Sequence, residues 1–434
     1  MIDIRLVREQ PDVVKAALGR RGIPPAEVEV LVALDADHRA ALARQEALRA
    51  QVKALSRQVG EARKAKDEAR ASQLADESRR VGEEERGAAE ETDRLADELR
   101  SLLLVTPNLP ADDAPDGAGP EDNIVGRRWW PGMEAGRPEP EPAAHQRVPH
   151  WDVGSELGIL DMPRGARMSG SMFPLFRGAG ARLLRALTSL ALDRHATAWE
   201  EIRPPTMVLT ETLTSTGHLP KFADEAYHVE RDDLWLIPTA EVPLASMHRG
   251  EILEETDLPV RLTAVTACFR REAGAAGRDT RGLLRVHEFD KVELFAFTTP
   301  TQAAEAHADM LARAEALLQA LELPYRVVDL CTGDLGAWAK RTFDLEVYAP
   351  GADRWLEVSS VSWVGDYQAR RATIRYRPAD GGANQLVHTL NGSALAWPRI
   401  WAALVEWGRQ EDGSVRLPEV LTPWFGPAPV IRAR

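Results

Sequence analysis

At 434 residues the chain is long enough for a large core and more than one domain. Its formal net charge of −13 argues against a general nucleic-acid binder, so any RNA contact must be a local basic patch. Two cysteines, Cys268 and Cys331, exclude a disulfide scaffold and fit a reduced cytoplasmic protein. Zinc has no sequence support, because neither CxxC nor HExxH occurs. The N-terminus, MIDIRLVREQ, lacks the apolar stretch of a secretory leader, and no apolar run is long enough to span a membrane. There is no internal repeat of the solenoid or propeller kind.

From about Glu27 to Leu104 the spacing predicts two long helices. In the first, Leu31, Leu34, His38, Ala41, Gln45, Leu48, Val52, Leu55 and Val59 recur by threes and fours. In the second, Leu74, Ser78, Val81, Glu85, Ala88, Thr92, Leu95, Leu99 and Leu102 do the same. This is a polar-spotted heptad seam, broken between Gly60 and Arg70, and it predicts an antiparallel pair with helices roughly 50 Å long. The first helix and tip carry Arg39, Arg44, Arg49, Lys53, Arg57, Arg63 and Lys64, and the second is strongly acidic. Such charge is read either as a solvated, salt-bridged surface or as a seat for a phosphate backbone. Residues 1–105 are therefore expected to form an N-terminal domain. Residues 106–149, rich in Pro, Gly and acids, read as a linker or irregular edge region, with Trp129 and Trp130 docking part of it.

Residues 150–434 read as a globular α+β body. WDVGSELGIL opens a short helix, and GARLLRALTSLALDRHATA is amphipathic. EEIRPPTMVL is extended but carries Pro204 and Pro205, which points to an edge strand or a bent strand rather than a central one. Thr239-Ala240-Glu241 follows, by itself a common helix-cap pattern. From Thr266 to Phe297 two predicted strands flank a glycine- and arginine-rich loop that holds Gly274, Gly277, Arg278, Asp279, Arg281 and Gly282. Arg270 offers a planar fork for phosphate or carboxylate, Arg285 a second cation, Phe289 an aromatic face and Glu293 a carboxylate on the same strand face as Phe289 and Lys291. These residues alone also suit a solvated hairpin. A helix over Thr301–Leu321, a strand in LPYRVVDL and a final strand–helix block in HTLNGSALAWPRIWAALVEWG complete the chain.

The wording of the loop segment, FRREAGAAGRDTRGLLRVHEFDKVE, resembles motif 2 of class II aminoacyl-tRNA synthetases. In detail it is similar to that of seryl-tRNA synthetases, FRxEAGxxGRDTRGLxRxHxFxKVE. The helix and extended run around Pro204 resemble motif 1, and the last strand–helix block resembles motif 3. The resemblance covers essentially the whole chain. It implies an antiparallel sheet core flanked by helices, a homodimer, and an N-terminal arm that grips tRNA(Ser) through its basic side, with tRNA(Sec) as a further acceptor. It implies activation of L-serine by ATP and Mg²⁺, then transfer of the seryl group to the tRNA 3′ end. Arg270 would bridge the serine carboxylate and the α-phosphate, and Arg399 would reach the γ-phosphate. Glu272 would contact the nucleotide, Phe289 would stack on adenine and Arg285 would support the bent ATP. Glu357 and Ser360 would hold magnesium. Thr239, Glu241, Glu293, Asn391 and Ser393 would enclose serine.

The chain departs from the family pattern at Val361-Ser362-Trp363, where Cys-Ser-Asn is usual, at LASMHRG, and at Trp397. These departures raise the expectation of a specialised or inhibitor-resistant copy. Two rival readings are a ligase that loads an amino acid onto a non-tRNA acceptor and a non-catalytic RNA-binding homologue. The arm and the full set of charged motif residues weigh against both.

Overall fold

The computed structural model describes residues 1–274 and 280–433. Gly277, Arg278 and Asp279 of the arginine-rich loop lie outside these. Two compact units divide between Pro107 and Asn108.

In the N-terminal unit, α1 (Ile4–Glu9) and α2 (Pro11–Gly19) precede the long helices α3 (Pro25–Lys64) and α4 (Glu68–Val105). With 40 and 38 residues these are roughly 60 Å long, more than the expected 50 Å. The reason is that α3 runs straight through Gly60, and the turn is only Ala65–Asp67. Asp67 caps α4 by accepting from the Arg70 amide at 2.9 Å. Every predicted seam position is at least half-buried, and Leu55, Ala62, Ala71, Leu74 and Val81 form a core of their own. Leu103, rather than Leu102, is the buried residue that closes the seam.

The second unit is built on a sheet that contains, among the described residues, eight strands. They are β1 (Ile124–Trp129), β2 (Glu200–Glu201), β3 (Val260–Phe269), β4 (Glu288–Thr298), β5 (Tyr325–Asp329), β6 (Arg341–Ala349), β7 (Arg354–Gly365) and β8 (His388–Ala396). Their order is β1-β5-β6-β7-β8-β4-β3-β2, antiparallel except for the β2–β3 edge. β2 is an edge strand; Pro204 and Pro205 follow it outside any strand, and Met207–Leu209 pairs with Leu234–Leu236 in a separate three-stranded sheet. Between 106 and 149 the chain supplies β1 to the opposite edge. There Trp129 stacks on Tyr325 at 5.8 Å and Arg127 pairs with Glu315.

Helices α5 (His150–Glu156), α6 (Met162–Ser169), α7 (Ala179–His195), α8 (Thr210–Thr216), α9 (Glu241–Ser246), α10 (Ala303–Ala320), α11 (Tyr367–Ala372) and α12 (Trp397–Gly408) complete the body. The strand period of two separates two cores on β4. Val292, Leu294 and Ala296 pack with α7, α10 and α12. Phe295 and Phe297, on the other face, pack with α9 and α11. Fully buried Leu183 and Leu187 of α7 contribute roughly 1.5–3 kcal/mol each to that first core. The face that carries Phe295 also carries Lys291 and Glu293, so the packing that seats α9 and α11 delivers two charged groups into the interior.

Candidate active site

The β3–β4 pair sets the geometry. In its register Ala264 faces Glu293, Thr266 faces Lys291 and Cys268 faces Phe289. Arg270 follows directly on β3. Its amide donates to the His287 carbonyl at 2.9 Å, and its guanidinium lies 5.2 Å from the centre of the Phe289 ring. β3 ends at Phe269. Glu272 is left-handed, with φ 51°, because Glu225 takes over the backbone there. The Glu225 carbonyl accepts from the Arg271 amide, and its carboxylate accepts from the amides of Ala273 at 3.0 Å and Gly274 at 3.1 Å. Glu272 is thereby turned toward Arg285 and pairs with it closely.

The far end of the loop is pinned with equal care. The Leu283 amide donates to His150 Nε2 at 2.9 Å, so the proton of this ring is on Nδ1, which donates to Glu406 at 2.8 Å. Gly282, with φ 57°, lets the backbone pass where a Cβ would meet His150 and Trp151 at 2.5 and 2.6 Å. Arg399, near the start of α12, donates to the Leu284 carbonyl at 3.4 Å and the Glu357 carbonyl at 2.7 Å, and lies 3.5 Å from the Glu357 carboxylate.

Glu357 and Ser360 are three residues apart on one strand, which in a regular strand would put them on opposite faces. The β6–β7 register resolves this. Glu346 pairs with Glu357 but Asp344 pairs with Ser360, so one extra residue bulges out between them. Glu346 and Asp344 share a face, and therefore so do Glu357 and Ser360. Both line the same cavity. A carboxylate and a hydroxyl are the oxygen ligands that a hard divalent cation takes when its remaining positions belong to water and phosphate, so the pair fits magnesium. Among the described residues no cluster of three His, Cys, Asp or Glu is placed to hold a metal by itself.

Two adjoining cavities result, of about 100 and 550 Å³. Arg270, Glu272, Arg285, Lys291, Glu357 and Ser393 line both. The smaller adds Phe289 and Arg399, and the larger adds Thr239, Glu241, Ser360 and Asn391. All the residues expected around ATP, metal and serine thus come together, with the exception of Glu293, which sits behind the larger cavity as the partner of three of its lining residues.

Glu241 and Glu293 are both buried. Glu293 is fully enclosed and accepts from Lys291 Nζ at 2.5 Å, Thr239 Oγ1 at 3.2 Å and Asn391 Nδ2 at 3.4 Å. Thr239 also receives the Glu241 amide at 3.3 Å, so the cap-like hydrogen bond coexists with a place on the cavity wall. Burial, and then the neighbouring Glu293 charge, push the Glu241 carboxyl up to about 7. Burial likewise pushes His218, on the cavity wall, down to about 3, which keeps it neutral.

Sequence reasoning missed Lys291, the counter-charge of Glu293, although its place two residues away on the same strand face was the available signal. It also missed Glu225, His150 and Glu406, which carry no local motif, and the aromatic wall of His218, Phe222 and Trp338. The departures at Val361, Trp363 and Trp397 do not line either cavity. Val361 and Trp397 are core residues, and Trp363 donates to His388 at 3.3 Å.

An antiparallel sheet that holds an arginine after one central strand, and a second on the helix following another, defines a class II aminoacyl-tRNA synthetase core. Residues 226–407 match the tRNA synthetase class II core domain (G, H, P, S and T), and residues 1–110 match the seryl-tRNA synthetase N-terminal domain. A serine–tRNA ligase of Thermotoga petrophila is 46% identical over 98% of this chain and 99% of its own length. The seryl-tRNA synthetase of Pyrococcus horikoshii complexed with ATP superposes with a TM-score of 0.91 at 36% identity, covering 100% of both chains. The cytoplasmic serine–tRNA ligase of Naegleria fowleri in complex with AMP gives 0.86 at 28% identity, covering 100% of this chain and 99% of its own. The chain belongs to the seryl-tRNA synthetase family and is a ligase that joins serine to tRNA.

Proposed function

We propose that the two cavities divide the reaction between them, ATP along Phe289, Glu272, Arg285 and Arg399, and L-serine among Thr239, Glu241, Glu293, Asn391 and Ser393. Arg270 stands where the two meet. The observation that carries this reading is the charge arrangement. Two buried carboxylates sit at one end, fit for the ammonium and hydroxyl of a small amino acid. Three arginines sit at the other, fit for phosphates. A serine carboxylate oxygen attacks the α-phosphorus, the bond to the bridging oxygen breaks, and pyrophosphate leaves with that electron pair. A hydroxyl of the tRNA terminal ribose then attacks the carbonyl carbon, and AMP leaves.

Because nucleophile and electrophile both carry negative charge, the protein contributes alignment and cations rather than a base. Arg270 neutralises the approach of carboxylate to phosphate, and Arg399 holds the terminal phosphates against Glu357. Glu357 and Ser360 would hold magnesium, which would supply further positive charge to the phosphates. A pocket that hydrogen-bonds the serine hydroxyl rejects alanine, which would leave buried polar groups unpaired.

The acceptors in this proposal are tRNA(Ser) and tRNA(Sec), gripped by the basic side of the α3–α4 hairpin. Arg44, Lys53, Arg57, Arg63 and Lys64 have no ion-pair partner among the described residues, which leaves them available to phosphates. Arg39 and Arg49 are already paired, with Asp35 at 2.9 Å and Glu85 at 3.2 Å. The working form is a homodimer in the cytoplasm. No helix among the described residues is long and apolar enough to cross a membrane.

The test is ATP–pyrophosphate exchange with serine, threonine, alanine and glycine. Exchange should depend on serine and fall by a hundredfold or more with alanine. Equal exchange with alanine would sink the assignment of Glu241 and Glu293 to the hydroxyl and ammonium.

A further inference from the structure

Glu241 is held from behind. Gln368, on α11 and 1% exposed, donates from Nε2 to Glu241 Oε1 at 2.6 Å and to the Thr216 carbonyl at 3.3 Å. Its Oε1 accepts from Thr389 Oγ1 at 2.6 Å. Two acceptors at one end oblige the amide to present its NH₂ there, so its orientation is settled by chemistry. The Thr389 hydroxyl is then a donor, and the chain runs in one direction, from Thr389 on β8 through Gln368 to Glu241 at the start of α9. Among the described residues Glu241 Oε2 has no hydrogen-bond partner. Gln368 lines neither cavity, so any effect it has on substrate passes through Glu241.

We propose that Gln368 is a positioning residue for serine recognition: its amide holds Glu241 by Oε1, which leaves Oε2 as the oxygen presented to the substrate. The inference rests on the reading of Glu241 as a serine ligand. A carboxylate held by one oxygen cannot swing about its last bond, and the amide charge-balances nothing. It therefore fixes direction without competing with the ammonium for the negative charge. Thr389 in turn prevents the amide from turning over.

The experiment is serine-dependent ATP–pyrophosphate exchange by the full-length chain carrying Gln368→Leu, Thr389→Val or Glu241→Ala, with thermal unfolding of each. Gln368→Leu should raise the KM for serine at least tenfold, with kcat at saturating serine and the KM for ATP within about twofold of the parent. Thr389→Val should give the same pattern at a threefold to fivefold level. If both leave the serine KM within twofold while Glu241→Ala raises it, the role of Gln368 is overturned and that of Glu241 stands. If Glu241→Ala also leaves it unchanged, the serine reading falls and takes this inference with it. A parallel worsening of kcat and of both KM values, in Gln368→Leu and Thr389→Val alike, would mean that the chain of hydrogen bonds only supports the fold, and would equally overturn the proposal.

Discussion

The arm and the active site are both rich in charge, and they hold it in opposite ways. On the α3–α4 hairpin most charged groups are exposed, Asp35 being buried. Most of their pairs, such as Arg94 with Glu91 and Glu98, join neighbours one turn apart on the same helix, while Arg49 with Glu85 joins the two helices. Exposed pairs of this kind contribute little and are screened by salt. In the site, Lys291 and Glu293 are 7% and 0% exposed and paired with each other. Burial makes such groups expensive, and each must have its partner. An exposed array can attract a long polyanion without being shaped to it. A buried array is committed to one small ligand, and each member is felt.

That contrast can be broken at its strongest point first. Arg270→Ala should reduce serine-dependent exchange by a thousandfold or more, equivalent to about 4 kcal/mol or above, with the unfolding temperature nearly unchanged. Near-normal exchange would remove Arg270 from the reaction. Lys291→Met should cost about 3–5 kcal/mol of stability by urea unfolding, because it leaves Glu293 buried without its cation. A loss under 1 kcal/mol would show that the pair is not the support of Glu293 that its geometry implies.

In the arm the effective lever is packing. Leu74→Ala, in the seam core with Leu55 and Val81, should cost about 2–3 kcal/mol and leave exchange untouched. A change in exchange would contradict the separation of the two roles.

The smallest effect is that of pH. With its carboxyl pushed up to about 7, Glu241 is protonated below that value and cannot hold an ammonium. The KM for serine should therefore rise about tenfold for each unit below pH 7, level off above it, and become flat in Glu241→Gln. Stability runs the opposite way. The folded value is raised above the ordinary 4.5, so the contribution of the bound proton is fully present below 4.5 and is lost as pH rises through about 7.

The two regions also differ in how far the sequence revealed them. The heptad seam is a local pattern, and it located eight of the thirteen buried positions on the two helices, leaving out Val28, Asp35, Ala62, Ala71 and Leu103. The turn falls within the break expected between Gly60 and Arg70 but is shorter than that break, since Gly60 costs about 1 kcal/mol in a helix, too little to end one packed along its length. The motif wording of the β3–β4 segment pointed to Arg270, Glu272, Arg285 and Phe289 as residues, but their geometry depends on distant partners. Glu225 bends Glu272 toward Arg285, and His150 fixes the loop from 133 residues away. The shared face of Glu357 and Ser360 depends on a bulge visible only in the pairing of β6 with β7. Gln368 belongs to no motif and touches the site only through the packing of α11 against α9 and β8.

The division of labour is tested most directly by replacing Arg44, Lys53, Arg57, Arg63 and Lys64 together with alanine. Serine-dependent exchange and tRNA charging are then measured in the same preparation over a range of salt. Exchange should match the parent within about twofold. Charging should require tRNA at roughly tenfold or higher concentration, with a shallower dependence on salt, by roughly 0.7–0.9 in log–log slope for each phosphate that is no longer neutralised. Unchanged charging with an unchanged salt slope would contradict the account, because the exposed cations of the arm would then have no part in holding tRNA.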